Sequence, residues 1–378
     1  MQIIIPMSGV GQRFIRKGYE MPKPLINVDG KPIIHHVIDL FPGETKFKFI
    51  CNKEHILKTD MKKIIKGYIP TAEVIAIDKH KKGPVYAVSK IFDLIENSQP
   101  TIINYCDFSC YWDYSNFKKH LKFENLDGCI PAYKGFHPHS LGNTNYAYLK
   151  ESKRQLIEIK EKEPFTDNRM SEFASSGTYY FAKGEHVKKY FEEAIIKDLN
   201  TNGEFYCSLI YNLMVADNLK VGVYELEHFM QWGTPEDLEE YKNWSNIFRD
   251  SISNKHSVKT QIGTSIIPMA GKGIRFKKEG YKKEKPLIEI NQKPMFIQAK
   301  KSLPNSKKNI FIIKDDISDE VNIELNKFFK YENNTIFSLK NTPNGQALTT
   351  SKVIEKCTNS ESINISACDH AVIYDNNK

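Results

Sequence analysis

The 378-residue chain contains no apolar run approaching the ~18 residues of a membrane helix, so the sequence predicts no membrane span. Its opening residues, MQIIIP, lack a basic segment followed by an apolar core, and no signal peptide is expected. Cysteine is scarce: seven residues, an odd number, without paired spacing. That argues against a disulfide framework and predicts reduced thiols in a cytoplasmic protein. Cys106 and Cys110 bracket Asp107, but no second pair or histidine cluster completes a zinc site. A large excess of one charge is missing too. The net charge of +8 suits an anionic small molecule as well as a nucleic acid and does not choose between them. Hydrophobic residues make up 40%, which is ordinary for a chain with a real core.

What is present is a repeat. Residues 4–32 and 266–294 align without a gap at an offset of 262, and 16 of the 29 positions are identical. Solenoid units are only about 20–50 residues long, so this period predicts two domains of one type. The two copies form an internal two-sequence alignment. Both keep Gly9/Gly271, Gly11/Gly273, Arg13/Arg275 and Lys23/Lys285. Further along, Gly83 matches Gly345, Cys106 matches Cys368 and Asp107 matches Asp369. The expectation is one complete domain over 1–248, a polar linker over 249–261, and the nucleotide-binding half of a second domain over 262–378.

Apolar runs alternate with amphipathic stretches through the first 105 residues, the pattern of βαβ units. The predicted class is α/β: a Rossmann-like, mostly parallel sheet flanked by helices, repeated twice with the second copy truncated. Ligands then bind along the edge where loops leave the strand C-termini. The residues kept in both copies fall on those loops: 8–24, 81–87 and 106–113.

The loop Ser8-Gly9-Val10-Gly11 follows a strand. Its glycines permit positive φ and expose backbone N–H groups that can cradle phosphate oxygens. Arg13 adds a fork of donors suited to a polyphosphate, and Lys23 adds a point charge between two prolines. No Gly-Lys-Ser/Thr follows, so this is not a Walker loop. Phe14 stands where a dinucleotide fingerprint needs its third glycine.

Gly-x-Gly-x-Arg followed by Pro-Lys-Pro-Leu resembles the nucleoside-triphosphate transferases, the sugar-phosphate nucleotidyltransferase family. The resemblance covers residues 1–245 and again 265–378. It extends to Asn104-Tyr105-Cys106-Asp107, Glu161-Lys162, Gly203-Glu204-Phe205-Tyr206 and Gly233-Thr234-Pro235-Glu236-Asp237-Leu238. It looks most like the branch found in capsule and lipopolysaccharide clusters. The resemblance implies a nucleotide-diphospho-sugar transferase fold and Mg2+-dependent transfer of a nucleotidyl group from an NTP to a sugar 1-phosphate, with loss of pyrophosphate. By the same resemblance, Arg13 and Lys23 are catalytic, and Ser8, Gly9, Gly11 and Gly83 bind nucleotide. Asp107 binds the metal; Glu161, Lys162 and Glu204 bind the acceptor. In the second copy the matching residues are Gly271, Gly273, Arg275, Lys285, Gly345 and Asp369. The implied partners are an NTP and a phosphorylated small molecule, with no nucleic acid; a homo-oligomer stays open.

Two departures stand out. Many relatives place a second metal-binding aspartate two residues before Gly-Thr-Pro, where this chain has Gln231. Pro84-Val85-Tyr86 replaces the usual base-loop residues, so the base is not read from the sequence. A cytidylyltransferase acting on a non-sugar phosphate is the alternative enzyme, and a non-catalytic nucleotide-binding module is the alternative for the second copy. A glycosyltransferase is disfavoured because Asp107-Phe108-Ser109 lacks Asp-x-Asp. His137 and His139, around Pro138, form a loop that could touch the acceptor, although such histidines are more often simply exposed.

Overall fold

Strand β1 (Gln2–Met7) is buried on both faces, as its run of three isoleucines requires. Ile3 and Ile5 enter one core with the helices Ile33–Asp39, Met61–Tyr68 and Tyr114–Glu124. Ile4 points into the opposite core with the helices Gly83–Ser89, Gly184–Ile196 and Cys207–Ala216. The period-two alternation thus places a helical layer on each side of one sheet. The computed structural model describes residues 1–137, 140, 142, 145–252, 260–354, 357 and 362–372.

The other strands of this ten-stranded sheet are β2 (Lys46–Asn52), β3 (Glu73–Ile77), β4 (Thr101–Asn104), β5 (Gly128–Tyr133), β6 (Ala147–Ser152), β7 (Gln155–Glu161), β8 (Phe173–Ser175), β9 (Thr178–Phe181) and β10 (Val221–Glu225). Their order is β8-β6-β7-β10-β5-β9-β4-β1-β2-β3. The predicted mostly parallel sheet needs correction. Strands β3-β2-β1-β4 are parallel, but β9 inserts antiparallel between β4 and β5, and β6, β7 and β8 pair antiparallel as well. The sheet is mixed: β3-β2-β1-β4 form its continuous parallel part, and β10 pairs parallel with β5 further along. A separate hairpin-like pair, Phe108–Tyr111 with His228–Gln231, brings the end of the domain back to the loop after β4.

The contacts divide the chain into Met1–Ser245 and Asn246–Lys378. Helix Pro235–Ile252 runs through that boundary. Four residues of the expected linker, 249–252, are therefore helical, and strand β11 (Thr260–Pro268) takes up its last two; 253–259 lie outside the described residues. The second unit adds β12 (Asn305–Lys314), β13 (Asn334–Leu339) and β14 (Ser362–Ile365) in the order β13-β12-β11-β14, all parallel. That is the arrangement of β3-β2-β1-β4. All seven cysteines are free. Among the described residues, no helix is long and apolar enough to cross a membrane.

Candidate active site

The loop after β1 turns at Gly11, whose φ of 70° and ψ of 34° place it in the left-handed region that glycine adopts without penalty. Gly11 caps the five-residue helix Gln12–Arg16. That helix is anchored by Phe14, which is buried against the edge of Tyr19. Arg13 is left on the exposed side. Lys23 begins a single 3-10 turn fixed by Pro22 and Pro24, so its stem is held stiffly. Its ammonium lies 5.6 Å from the Phe14 ring centroid and 2.8 Å from Asp107 Oδ2. Burial pulls the Lys23 pKa down, but Asp107 and the neighbouring Cys106 raise it more, and the net shift is upward. Lys23 therefore remains a cation throughout the neutral range.

Two cavities meet at this ion pair. The larger, of about 510 Å³, is lined by Ser8, Gly9, Gly11, Gly83 and Glu204 among others. The second, of about 240 Å³, is lined by Glu161, Lys162, Tyr206 and Gln231. Arg13, Lys23, Tyr105, Asp107 and Gly233 line both. The structure thus brings the first-unit residues picked out by sequence to the walls of these two cavities. Glu204, expected at the acceptor, borders the larger cavity, while Tyr206, two residues on, borders the smaller. The turn at 203–206 passes between the two cavities.

Gly83 has a steric reason for being glycine. Its φ is +79°, and a Cβ there would sit 2.7 Å from the backbone N and O of Phe205. Hydrogen bonds from Phe205 N–H to the Lys82 carbonyl (3.0 Å) and from Val85 N–H to the Phe205 carbonyl (3.2 Å) lock this approach. The loop over the larger cavity is therefore sewn to the turn that carries Glu204 and Tyr206.

In the smaller cavity, Lys162 Nζ donates to Tyr206 Oη at 2.7 Å, and Tyr206 donates to Glu204. Lys162 itself has a φ of 62°, an uncommon conformation for a non-glycine residue, set at the end of β7. Ser208 donates to Glu161 at 2.6 Å. Burial pushes the Glu161 pKa up to about 7, against the lowering influence of Ser208 and Lys162. Aromatic rings of Tyr105, Tyr146, Tyr179 and Phe229 form much of the wall.

Gln231 donates through Nε2 to Asp237, which also accepts from Thr234 Oγ1 at 2.6 Å. Thr234 in turn accepts from Asp237 N–H at 3.2 Å and caps the last helix of the domain. The position of the missing aspartate is thus occupied by a neutral amide tied into a helix cap. Trp232 N–H donates to the Asp107 carbonyl at 2.9 Å, binding this strand to the loop after β4. Among the described residues, no cluster of three or more His, Cys, Asp or Glu is arranged to hold a metal. His137 packs edge-on against Tyr133 at 4.5 Å and does not line the smaller cavity. His139 lies outside the described residues.

Sequence reasoning missed His55 and His80 and gave no role to Tyr105, all lining the larger cavity. The internal alignment carried no signal for the histidines, because the second copy has Ile317 and Thr342 in their places.

The second unit builds the same corner. Gly273 has a φ of 60°, Phe276 meets Tyr281 edge-on, Lys285 pairs with Asp369, and its ammonium lies 5.6 Å from the Phe276 ring. Gly271, Lys285 and Gly345 line a cavity of about 130 Å³. Arg275 is exposed, like Arg13.

The sequence pattern of the nucleotidyl transferase family matches residues 2–244, and the chain belongs to that family. The protein is accordingly a nucleotidyltransferase. No curated protein matches it. Solved structures give the fold. The nucleoside-diphosphate-sugar pyrophosphorylase from Vibrio cholerae RC9 superposes with a TM-score of 0.52 at 19% identity, over 64% of this chain and all of that one. A UDP-glucose pyrophosphorylase complexed with UDP-glucose gives 0.51 at 16% identity, over 66% and 99%. The inositol-1-phosphate CTP transferase from T. maritima gives 0.50 at 15% identity, over 65% and 95%.

Proposed function

We propose that the first unit transfers a nucleotidyl group from an NTP to a sugar 1-phosphate, forming a nucleotide-activated sugar for surface polysaccharide synthesis. The observation that carries this reading is the meeting of two cavities at Arg13, Lys23 and Asp107. An acceptor phosphate oxygen attacks the α-phosphorus of the NTP. The bond from that phosphorus to the bridging oxygen breaks, and pyrophosphate leaves. Such chemistry needs alignment and charge neutralisation more than a covalent catalyst. Lys23 neutralises charge at the junction, Arg13 holds the departing phosphates, and the amides of Ser8–Gly11 cradle them. Gly83 lets its loop close over the nucleotide. Lys162 takes the acceptor phosphate, and Glu161 accepts from an acceptor hydroxyl. Glu204 braces Tyr206, which holds Lys162.

Mg2+ takes one or two carboxylates together with substrate phosphates and water. Asp107, with its carboxylate at the junction, fits that requirement alone, and Gln231 adds no charge. Bound there, Mg2+ would neutralise phosphate charge.

A second reading, CTP as donor and a non-sugar phosphate as acceptor, is favoured by the aromatic wall of the smaller cavity, which suits a cationic or apolar group. For the second unit, we propose a repeat of the nucleotide-binding half that holds nucleotide phosphates without acceptor chemistry of its own. The test of the first unit is pyrophosphate release from each common NTP, with and without a panel of sugar 1-phosphates and phosphorylated amino alcohols. Acceptor-dependent release supports the reading. Binding of NTP without release under any acceptor contradicts it.

A further inference from the structure

Ser8 is 3% exposed, and its hydroxyl oxygen lies 2.9 Å from His80 Nε2. The other ring nitrogen, His80 Nδ1, accepts from the Lys82 backbone N–H at 3.2 Å. A nitrogen that accepts carries no proton, so the neutral ring must carry its hydrogen on Nε2. That hydrogen is donated to Ser8. The serine oxygen is then used as an acceptor, and its own hydrogen has no protein acceptor among the described residues. Ser8 and His80 both line the larger cavity, beside Gly9 and Gly11. The neutral ring is favoured because burial, Lys90 and Lys82 all lower the His80 pKa. Tyr86 packs edge-on against the ring at 4.9 Å, and the ammonium groups of Lys82 and Lys90 lie over Tyr86.

The second unit loses both partners together: the positions matching Ser8 and His80 are Ala270 and Thr342. The pair therefore behaves as one device, present in one unit and missing from the other.

We propose that His80 is a positioning residue. It fixes the Ser8 hydroxyl so that its hydrogen is presented to an NTP phosphate oxygen, and it ties the 78–84 loop to the phosphate loop. This inference rests on the proposed NTP site. A hydrogen bond to a charged group, lost from the site, lowers affinity about tenfold or more.

The experiment measures KM and kcat of the full chain with whichever of ATP, CTP, GTP, UTP or dTTP the wild type turns over. The variants are Ser8→Ala, His80→Ala, His80→Gln and the Ser8→Ala/His80→Ala double. Alanine at position 8 is tolerable, because the second unit carries it at the matching site. Each single alanine variant is expected to raise KM for the NTP about tenfold with kcat little changed, since the contact is made in ground and transition states alike. The double variant should be no worse than the poorer single, as for two members of one unit. His80→Gln, which keeps an N–H donor, should recover most of the affinity, a result that a purely structural role of the ring would not give. Wild-type KM in both single variants, or losses that multiply in the double, would overturn the inference while leaving the proposed function intact. If the wild type turns over no NTP, both fall together.

Discussion

Lys23 and Asp107 were legible at the level of single residues because two copies inside one chain keep them at the same spacing. Their direct contact was not, since 84 residues separate them and only folding brings the ammonium to the carboxylate. Replacement of Arg13 or Lys23 by alanine is expected to cut turnover at least tenfold with the fold intact, through lost stabilisation of developing phosphate charge. Steady-state kinetics beside a thermal melt check this, and wild-type turnover in both variants would remove these residues from the mechanism. Asp107→Asn should weaken the dependence on Mg2+; an unchanged metal titration would refute the ligand assignment. Glu161 gives a stability test. Its pKa is raised from 4.5 to about 7, chiefly by burial, so its stabilising contribution is full below 4.5 and is lost as pH rises through 7. Glu161→Gln, neutral throughout, should gain thermal stability relative to the wild type across that window. Parallel melting curves from pH 4.5 to 8 would contradict it.

Among elements, the strands were readable and their directions were not. Short buried strands show the same apolar runs whether their neighbours are parallel or antiparallel. Nothing local in Thr178–Phe181 announces that it inserts between β4 and β5. Helix breaks were equally hidden: the helical stretch after β2 is divided near Thr59 into Lys53–Lys58 and Met61–Tyr68. Asn52 caps the first of these by accepting from Glu54 N–H at 2.9 Å. The turn at 203–206 carries Glu204 to the border of the larger cavity and Tyr206 to the border of the smaller. Family resemblance locates a segment, but side chains two residues apart in it face different cavities. The contact of that turn with Gly83 leads to a further expectation. Gly83→Ala should lower the melting temperature and weaken NTP binding, because its Cβ would meet rigid backbone and φ is positive. Gly345→Ala meets nothing within 4 Å and should cost only the strain of its φ of +96°. Equal destabilisation by the two changes would refute the steric account.

For the molecule as a whole, the repeat predicted two units, and the contacts separate at Ser245. The second unit repeats the strand order and the Lys–Asp corner but not the Ser8–His80 pair. If the acceptor chemistry belongs to the first unit, Lys285→Ala in the full chain should leave acceptor-dependent turnover unchanged. A loss matching that of Lys23→Ala would mean that the two corners act together.

The most direct test of the central claim, that a nucleotide cavity and an acceptor cavity share Arg13, Lys23 and Asp107, is pyrophosphate release by the full chain across an NTP and phosphorylated-acceptor matrix, run beside the Lys23→Ala variant. The predicted result is release that requires one NTP and one class of acceptor and falls at least tenfold in the variant. Release that ignores the acceptor, or that survives the loss of Lys23, would contradict the account.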